Sequence, residues 1–131
     1  MLPLFAYGIL MDADVLAHVL GPAGRRFATA PATLRGYHRV YAPGGTYPML
    51  RPAPDGSVDG LLLRGVSRPQ LARLTAFEGD GYTLERRPVA SGGETIDAQV
   101  YLPRIAPRGG RLWDFEDWRR RHKRRLMKRL R

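Results

Sequence analysis

Two short segments of this chain carry residue types that could do chemistry on a small polar substrate. The first is Phe77-Glu78-Gly79-Asp80-Gly81-Tyr82. Leu71, Leu74 and Phe77 recur at helical spacing as an apolar stripe, so Glu78 occupies the last helical position before a glycine able to end the helix. A carboxylate there has two reasons to hold its proton tightly: partial burial beside the stripe, and the negative end of the helix dipole. The dipole is worth about 0.3–1 kcal/mol, less than one pKa unit, so burial must supply most of any shift that brings Glu78 to neutral pH. A carboxyl group tuned in this way serves as general acid and general base. The plain alternative is an exposed glutamate at a helix end, followed by an ordinary turn.

The second segment is Tyr7-Gly8-Ile9-Leu10, between an apolar strand and a helix. A glycine at that junction lets backbone N–H groups approach a ligand closely, and consecutive free N–H groups form an anion-binding concavity. Taken alone, the glycine is explained more simply by a tight turn. Asp12 and Asp14 follow at once and oppose an anion unless they point away.

Other chemistries are excluded or unsupported. The chain has no cysteine, which removes thiolate nucleophiles, disulfides and Cys-based zinc sites. His18, His38 and His122 are scattered, no Ser-His pair stands out, and no metal site is expected. Hydrophobic residues make up 44% of the 131, enough for one domain with its own core. No run approaches the roughly 18 apolar residues that would span a bilayer, and the N-terminus reads as a strand and not a signal peptide, so the expected location is cytoplasmic. The net charge of +10 is unevenly placed: residues 119–131 hold nine Lys/Arg and no acid, while residues 1–118 balance thirteen bases against twelve acids. This divides the chain into a domain body, 1–118, and a basic helical extension, 119–131.

The elements that must position these residues follow from periodicity and punctuation. Leu2 to Tyr7 reads as a buried strand. Asp12 or Asp14 caps a helix with Val15, Leu16, Val19 and Leu20 inward, ended by Gly21-Pro22. Residues 27–41 form a strand with a break expected at Pro31. Pro43-Gly44-Gly45 and Pro52 to Gly56 read as turns, with an extended piece starting at Tyr47-Pro48 between them. Val58 to Val66 is a strand. Ser67 caps the helix that carries Glu78, with Pro69 in its first turn. Arg86 to Ala90 and Thr95 to Leu102 are strands joined at Ser91-Gly92-Gly93. Asp114 caps one final helix with Phe115, Trp118, Leu126 and Leu130 on one side. The fold class is α+β: a curled mixed sheet or small mixed β-barrel with flanking α-helices.

Several of these segments, in this order, resemble one family. Tyr7-Gly8-Ile9-Leu10 resembles its Tyr-Gly-Ser/Thr-Leu motif, and Tyr47-Pro48 its central Tyr-Pro. The stretch from Leu74 to Tyr82 with Arg86-Arg87-Pro88-Val89 is similar to its helix-end Glu-Gly-x-x-Tyr and following strand. Ala98-Gln99-Val100-Tyr101 and the Trp113-to-Trp118 segment complete the pattern. The chain thus resembles the gamma-glutamylcyclotransferase-like, or AIG2-like, proteins from about residue 4 to residue 121.

The resemblance implies a small mixed β-barrel and release of an amine from a gamma-glutamyl amide, with cyclisation to 5-oxoproline and no cofactor. It implies Glu78 as the catalytic acid/base and Tyr7, Gly8, Ile9, Leu10 and Tyr82 as substrate-binding residues. Tyr47 either lines the pocket or packs in the core, and packing is the expectation. Position 9 departs from the pattern, because isoleucine stands where the family has Ser/Thr. A side-chain hydrogen bond worth about 0.5–1.5 kcal/mol is thereby absent. That departure supports a second reading, a binding module that uses the same pocket without turnover. A third reading, a nucleic-acid binder through residues 119–131, is weaker: no aromatic follows Trp118 to stack on bases, and cations in a helix's last turns suit its dipole. The expected partner is a small gamma-glutamyl-type substrate, without nucleic acid or membrane.

Overall fold

The structure is a computed structural model and describes residues 1–130. Alternation along the strands decides its architecture. In β1 (Leu4–Ala6), Leu4 and Ala6 join one apolar cluster, while Phe5 and the following Tyr7 join another. The same split separates Leu63 from Leu62 on β3 (Pro48–Arg64), and Tyr101 from Val100 and Leu102 on β5 (Glu94–Pro103). Side chains of a strand point alternately to its two faces, so a sheet apolar on both must be covered on both. One face closes on itself; the other packs under helices.

The sheet is a closed barrel in the order β1-β3-β2-β4-β5, with β2 at Ala28–Tyr41 and β4 at Tyr82–Ser91. Neighbours are antiparallel except for the closing contact, where Leu4 pairs parallel with Gln99. Leu34, Leu62, Val89 and Val100 fill the interior together with Phe5. Outside lie α1 (Ala13–Leu20), α2 (Arg68–Glu78), α3 (Phe115–Arg121) and α4 (Lys123–Leu130). Val15, Leu16, Leu74 and Trp118 pack there against Leu4 and Leu63. The fold is α+β.

Three expectations are corrected. β2 does not break at Pro31: the strand runs on, with Pro31 opposite Leu61 of β3. The second edge of β2 meets β4 only at Thr33, so the missing N–H of Pro31 interrupts no ladder there, and its carbonyl accepts from Ser91 Oγ at 2.7 Å. Pro52 to Gly56 is not a turn between strands. β3 is continuous, and residues 53–56 bulge opposite Gly36, between the pairs Tyr37–Pro52 and Arg35–Ser57. Gly56 is required at that bulge, because a Cβ would lie 2.2 Å from the carbonyl oxygen of Tyr37. The final helix is two: His122 leaves helical geometry at φ −127°, which lets Trp118 sit in the core while Lys123 reaches back to α1.

Candidate active site

The helix that carries Glu78 is specified locally at both ends. Ser67 Oγ accepts from the N–H of Gln70 and the Gln70 side chain accepts from the N–H of Ser67, a reciprocal cap, with Pro69 in the first turn. Leu74 is fully buried, and Leu71 and Phe77 pack beside it. At the other end Gly79 adopts φ +88° and its N–H donates to Thr75 O at 3.1 Å, so the chain turns away directly after Glu78. Glu78 is mostly buried, and desolvation pushes its carboxyl pKa up to about 7.

Glu78 faces a cavity of about 320 Å³. The end of β1 and the loop after it, Phe5 to Leu10, form one wall; Tyr47 and Pro48, Phe77, Tyr82 and Tyr101, and Leu126 and Arg129 of α4 form the rest. The structure therefore brings together every site residue named from the sequence: Tyr7, Gly8, Ile9, Leu10, Glu78 and Tyr82. Tyr47 is a correction. It is 44% exposed and lines the cavity in place of packing in the core, because it lies just before β3 begins, at the rim.

The loop after β1 is a single 3-10 turn, Ile9–Met11, held by Met11 N–H to Gly8 O and Asp12 N–H to Ile9 O, both 3.0 Å. That turn leaves its leading N–H groups, at Gly8, Ile9 and Leu10, without a partner inside it. Gly8 is needed for close approach, since a Cβ would lie 2.9 Å from Pro48 Cγ. The two acids that follow point away from the cavity. Asp12 is buried and accepts from Asp14 N–H and Val15 N–H to cap α1; Asp14 pairs with Arg25 and Lys123.

Three phenols surround the carboxylate with their hydroxyls already placed. Tyr7 donates to Tyr101 O at 2.5 Å, Tyr82 donates to Pro48 O at 3.3 Å, and the Tyr101 hydroxyl lies 2.9 Å from Thr75 Oγ1. Burial and the nearby Glu78 charge raise the pKa of Tyr7 and Tyr82, and burial pushes Tyr101 up to about 12, so all three stay protonated at neutral pH. Among the described residues, Glu78 is the sole carboxylate lining the cavity.

Arg39 was not singled out from the sequence. From β2 it donates through Nη1 to the carbonyl of Tyr7 and to that of Asp59, both at 2.8 Å, and it lies 5.2 Å from the Trp113 ring centroid. Burial lowers its pKa from the ordinary value. It pins the carbonyl immediately before Gly8, which fixes the peptide plane that carries the Gly8 N–H. The sequence offers little signal for it: Arg39 follows Tyr37-His38 and precedes Val40-Tyr41, with Arg35 four residues before it in the same strand. Arg129 and Leu126 were likewise missed as cavity residues, since only the bend at His122 brings α4 to the rim.

A sequence profile described as gamma-glutamyl cyclotransferase, AIG2-like, matches residues 4–120. The chain belongs to this family. Within it, Protein AIG2 C of Arabidopsis thaliana is 34% identical over 119 residues, covering 88% of this chain and 70% of that protein. AIG2-like protein D of the same plant is 34% identical over 123 residues, covering 90% and 79%. A solution structure from Arabidopsis thaliana, 30% identical, superposes with a TM-score of 0.73 over 97% of this chain and 86% of that one. A structure titled gamma-glutamyl cyclotransferase shares the fold at 17% identity and a TM-score of 0.62, covering 78% of this chain and 66% of that one. The family match ends at residue 120, so α4 lies beyond it. No helix among the described residues is long and apolar enough to cross a membrane.

Proposed function

We propose that this chain is a cyclotransferase that cleaves a gamma-glutamyl amide and releases 5-oxoproline, with Glu78 carrying the protons. The observation that supports this most is a mostly buried carboxyl with its pKa raised to about 7, in a cavity also lined by Gly8, Ile9 and Leu10, whose N–H groups have no partner inside the Ile9–Met11 turn.

The substrate brings its own nucleophile. Its alpha-amino nitrogen attacks the gamma-carbonyl carbon and closes a five-membered ring, a geometry with a large effective-molarity advantage once the chain is folded back on itself. Ionised Glu78 takes a proton from the alpha-ammonium, the C–N bond of the ring forms, and the carbonyl oxygen becomes an oxyanion. Protonated Glu78 then gives the proton to the departing nitrogen as the amide C–N bond breaks and the carbonyl re-forms, and the second proton of the ring nitrogen passes through the ionised Glu78 to the released amine, which departs as an ammonium. One carboxyl serves both steps because a pKa near 7 keeps both protonation states populated. The N–H groups of residues 8–10 are suited to hold the substrate alpha-carboxylate or the oxyanion. No step calls for a metal or cofactor.

The test is a panel of gamma-glutamyl amides assayed for 5-oxoproline, with Glu78→Gln as control. Release by the native chain and none by the variant is expected; activity retained in Glu78→Gln removes the assigned role. One observation favours the second reading, a binding module: Ile9 presents an alkyl group to the cavity where the resemblance places a hydroxyl. Binding of these amides without release by the native chain is the outcome that selects it.

A further inference from the structure

Arg39 carries a charge that its own contacts do not neutralise. Its Nη1 donates to the carbonyls of Tyr7 and Asp59, both at 2.8 Å, its Nε donates to the carbonyl of Trp113 at 3.3 Å, and the Trp113 ring centroid lies 5.2 Å away. All of these partners are uncharged. Among the described residues, no carboxylate oxygen comes within ion-pair distance of Arg39. The acids that act on it from farther off, Asp114 and Asp59, are engaged elsewhere: Asp114 caps α3, and Asp59 accepts from Thr33 Oγ1 at 2.9 Å. Arg124, Arg125, Lys128 and Arg129 of α4 also lack carboxylate partners, but they are exposed and screened by water. Arg39 is half-buried, so its charge is screened less.

The guanidinium sits directly behind the Tyr7–Gly8 peptide. The C=O and N–H of a trans peptide point in opposite directions, so Arg39 holds the oxygen from one side while the Gly8 N–H leads away on the other. A hydrogen bond to the oxygen also polarises the peptide and strengthens its N–H as a donor. An anion that accepts from Gly8 N–H lies roughly 8 Å from the guanidinium, the sum of two hydrogen bonds and one peptide unit. At the other end of the turn, the Asp12 carboxylate is already answered by Lys123.

We propose that Arg39 is the counter-charge of the Gly8–Leu10 loop, a positioning residue that makes the loop select a ligand with a permanent carboxylate beside its amino group. This rests on the cyclotransferase reading for the identity of that glutamyl end. The carboxylate and the alpha-ammonium share one carbon, so an ammonium placed at Glu78 brings the carboxylate into the same cavity as the ionised base, whose like charge opposes it. Arg39 offsets that repulsion through the peptide, without touching the ligand. The ligand carries this charge before and throughout the reaction, so the effect falls on binding and not on the oxyanion that forms later.

The deciding ligands are gamma-glutamyl-ethylamide and 4-aminobutanoyl-ethylamide, which differ only in the alpha-carboxylate. Binding is measured by calorimetry in the Glu78→Gln chain, and turnover of the first ligand as 5-oxoproline in the chain with Glu78 intact. The glutamyl compound should bind more tightly, and adding Arg39→Gln should cut that preference about tenfold, with the loss confined to the glutamyl compound. Arg39→Lys, which keeps the charge, should keep most of the preference. In turnover the loss in Arg39→Gln should appear in KM and not in kcat. A preference that survives Arg39→Gln overturns the proposal, and so does an equal loss for both ligands, which marks a purely structural role. Where the glutamine variant fails to fold, a folded lysine variant without the preference overturns it. A lower kcat at unchanged KM puts the charge on the oxyanion and overturns it as well. Binding of neither ligand overturns both the proposal and the cyclotransferase reading. A preference lost in Arg39→Gln, in a chain that releases no 5-oxoproline, supports the Arg39 assignment and removes the cyclotransferase reading. Release of 5-oxoproline without any preference does the reverse.

Discussion

Asp12 Oδ2 and Lys123 Nζ lie 2.9 Å apart, joining the residue that caps α1 to the first residue of α4. The carboxylate is 1% exposed, also receives the N–H groups of Asp14 and Val15, and has Arg119 Nε at 3.5 Å. A buried charge satisfied this completely is costly to orphan on either side. The loop that carries Ile9 and Leu10 runs directly into Asp12, so one contact ties the cavity's near wall to the helix that forms its far wall.

Asp12→Ala should therefore destabilise the chain by about 3 kcal/mol, from loss of the cap and from a lysine left without its buried partner. α4 should also loosen. Urea titration measures the first effect. Trypsin digestion measures the second, as faster cleavage after Arg124 or Arg125. Unchanged cleavage at equal stability would show that α4 is held by its apolar contacts alone.

Glu78 makes stability depend on pH with a fixed sign. Its carboxyl is protonated in both states well below the ordinary value of 4.5, but the folded chain keeps the proton up to about 7. Between those values the unfolded chain binds fewer protons, so stability falls as pH rises, by up to about 3 kcal/mol in all, and is flat beyond about 7. Glu78→Gln should lack this loss and be the more stable chain at pH 8, with little difference at pH 4. The rate should show the same group: kcat/KM rises with pH to a midpoint near 7, where the base ionises. An ascending limb near pH 4.5 would mean that burial does not hold in solution.

Gly8→Ala places a methyl group 2.9 Å from Pro48 Cγ, closer than carbon atoms tolerate. Either the loop or the Tyr47-Pro48 wall must move. The expected result is a loss of about 1–3 kcal/mol in thermal unfolding and a raised KM, because both displaced parts line the cavity. Unaltered KM at reduced stability would place the loop outside the binding surface.

Ile9→Thr returns a hydroxyl to the loop that carries the free N–H groups. Under the cyclotransferase reading it should speed 5-oxoproline release by about tenfold or less, the worth of one uncharged hydrogen bond. The hydroxyl enters a partly apolar wall, so without a partner it costs stability. A lower melting temperature with no gain in rate favours a pocket shaped for binding alone.

What the sequence by itself determined was local. Ser67, Pro69 and Gln70 start α2, the Leu71–Leu74–Phe77 stripe orients it, and Gly79 ends it, so Glu78 at a buried helix end needed only neighbouring residues to be read. A cap at Asp12 or Asp14, Gly21 as a stop and the Gly92-Gly93 turn are legible for the same reason: dihedral limits and capping hydrogen bonds act within a few residues. The meeting of Tyr7–Leu10 with Glu78 and Tyr82 came from the ordered pattern of motifs, since no local rule places β1 beside the end of α2. Only the tertiary structure decided the rest. Pro52 to Gly56 carries turn residues, yet pairing of β2 with β3 on either side absorbs it as a bulge. Residues 114–130 read as one helix, yet burial of Trp118 and the pull of Asp12 and Asp14 on Lys123 break it at His122. That break sets Arg129 at the cavity, and the barrel's closure sets Arg39 on the carbonyl of Tyr7. Both depend on long-range contacts, in which a charge is placed by the distant partner that satisfies it and not by its neighbours in the chain.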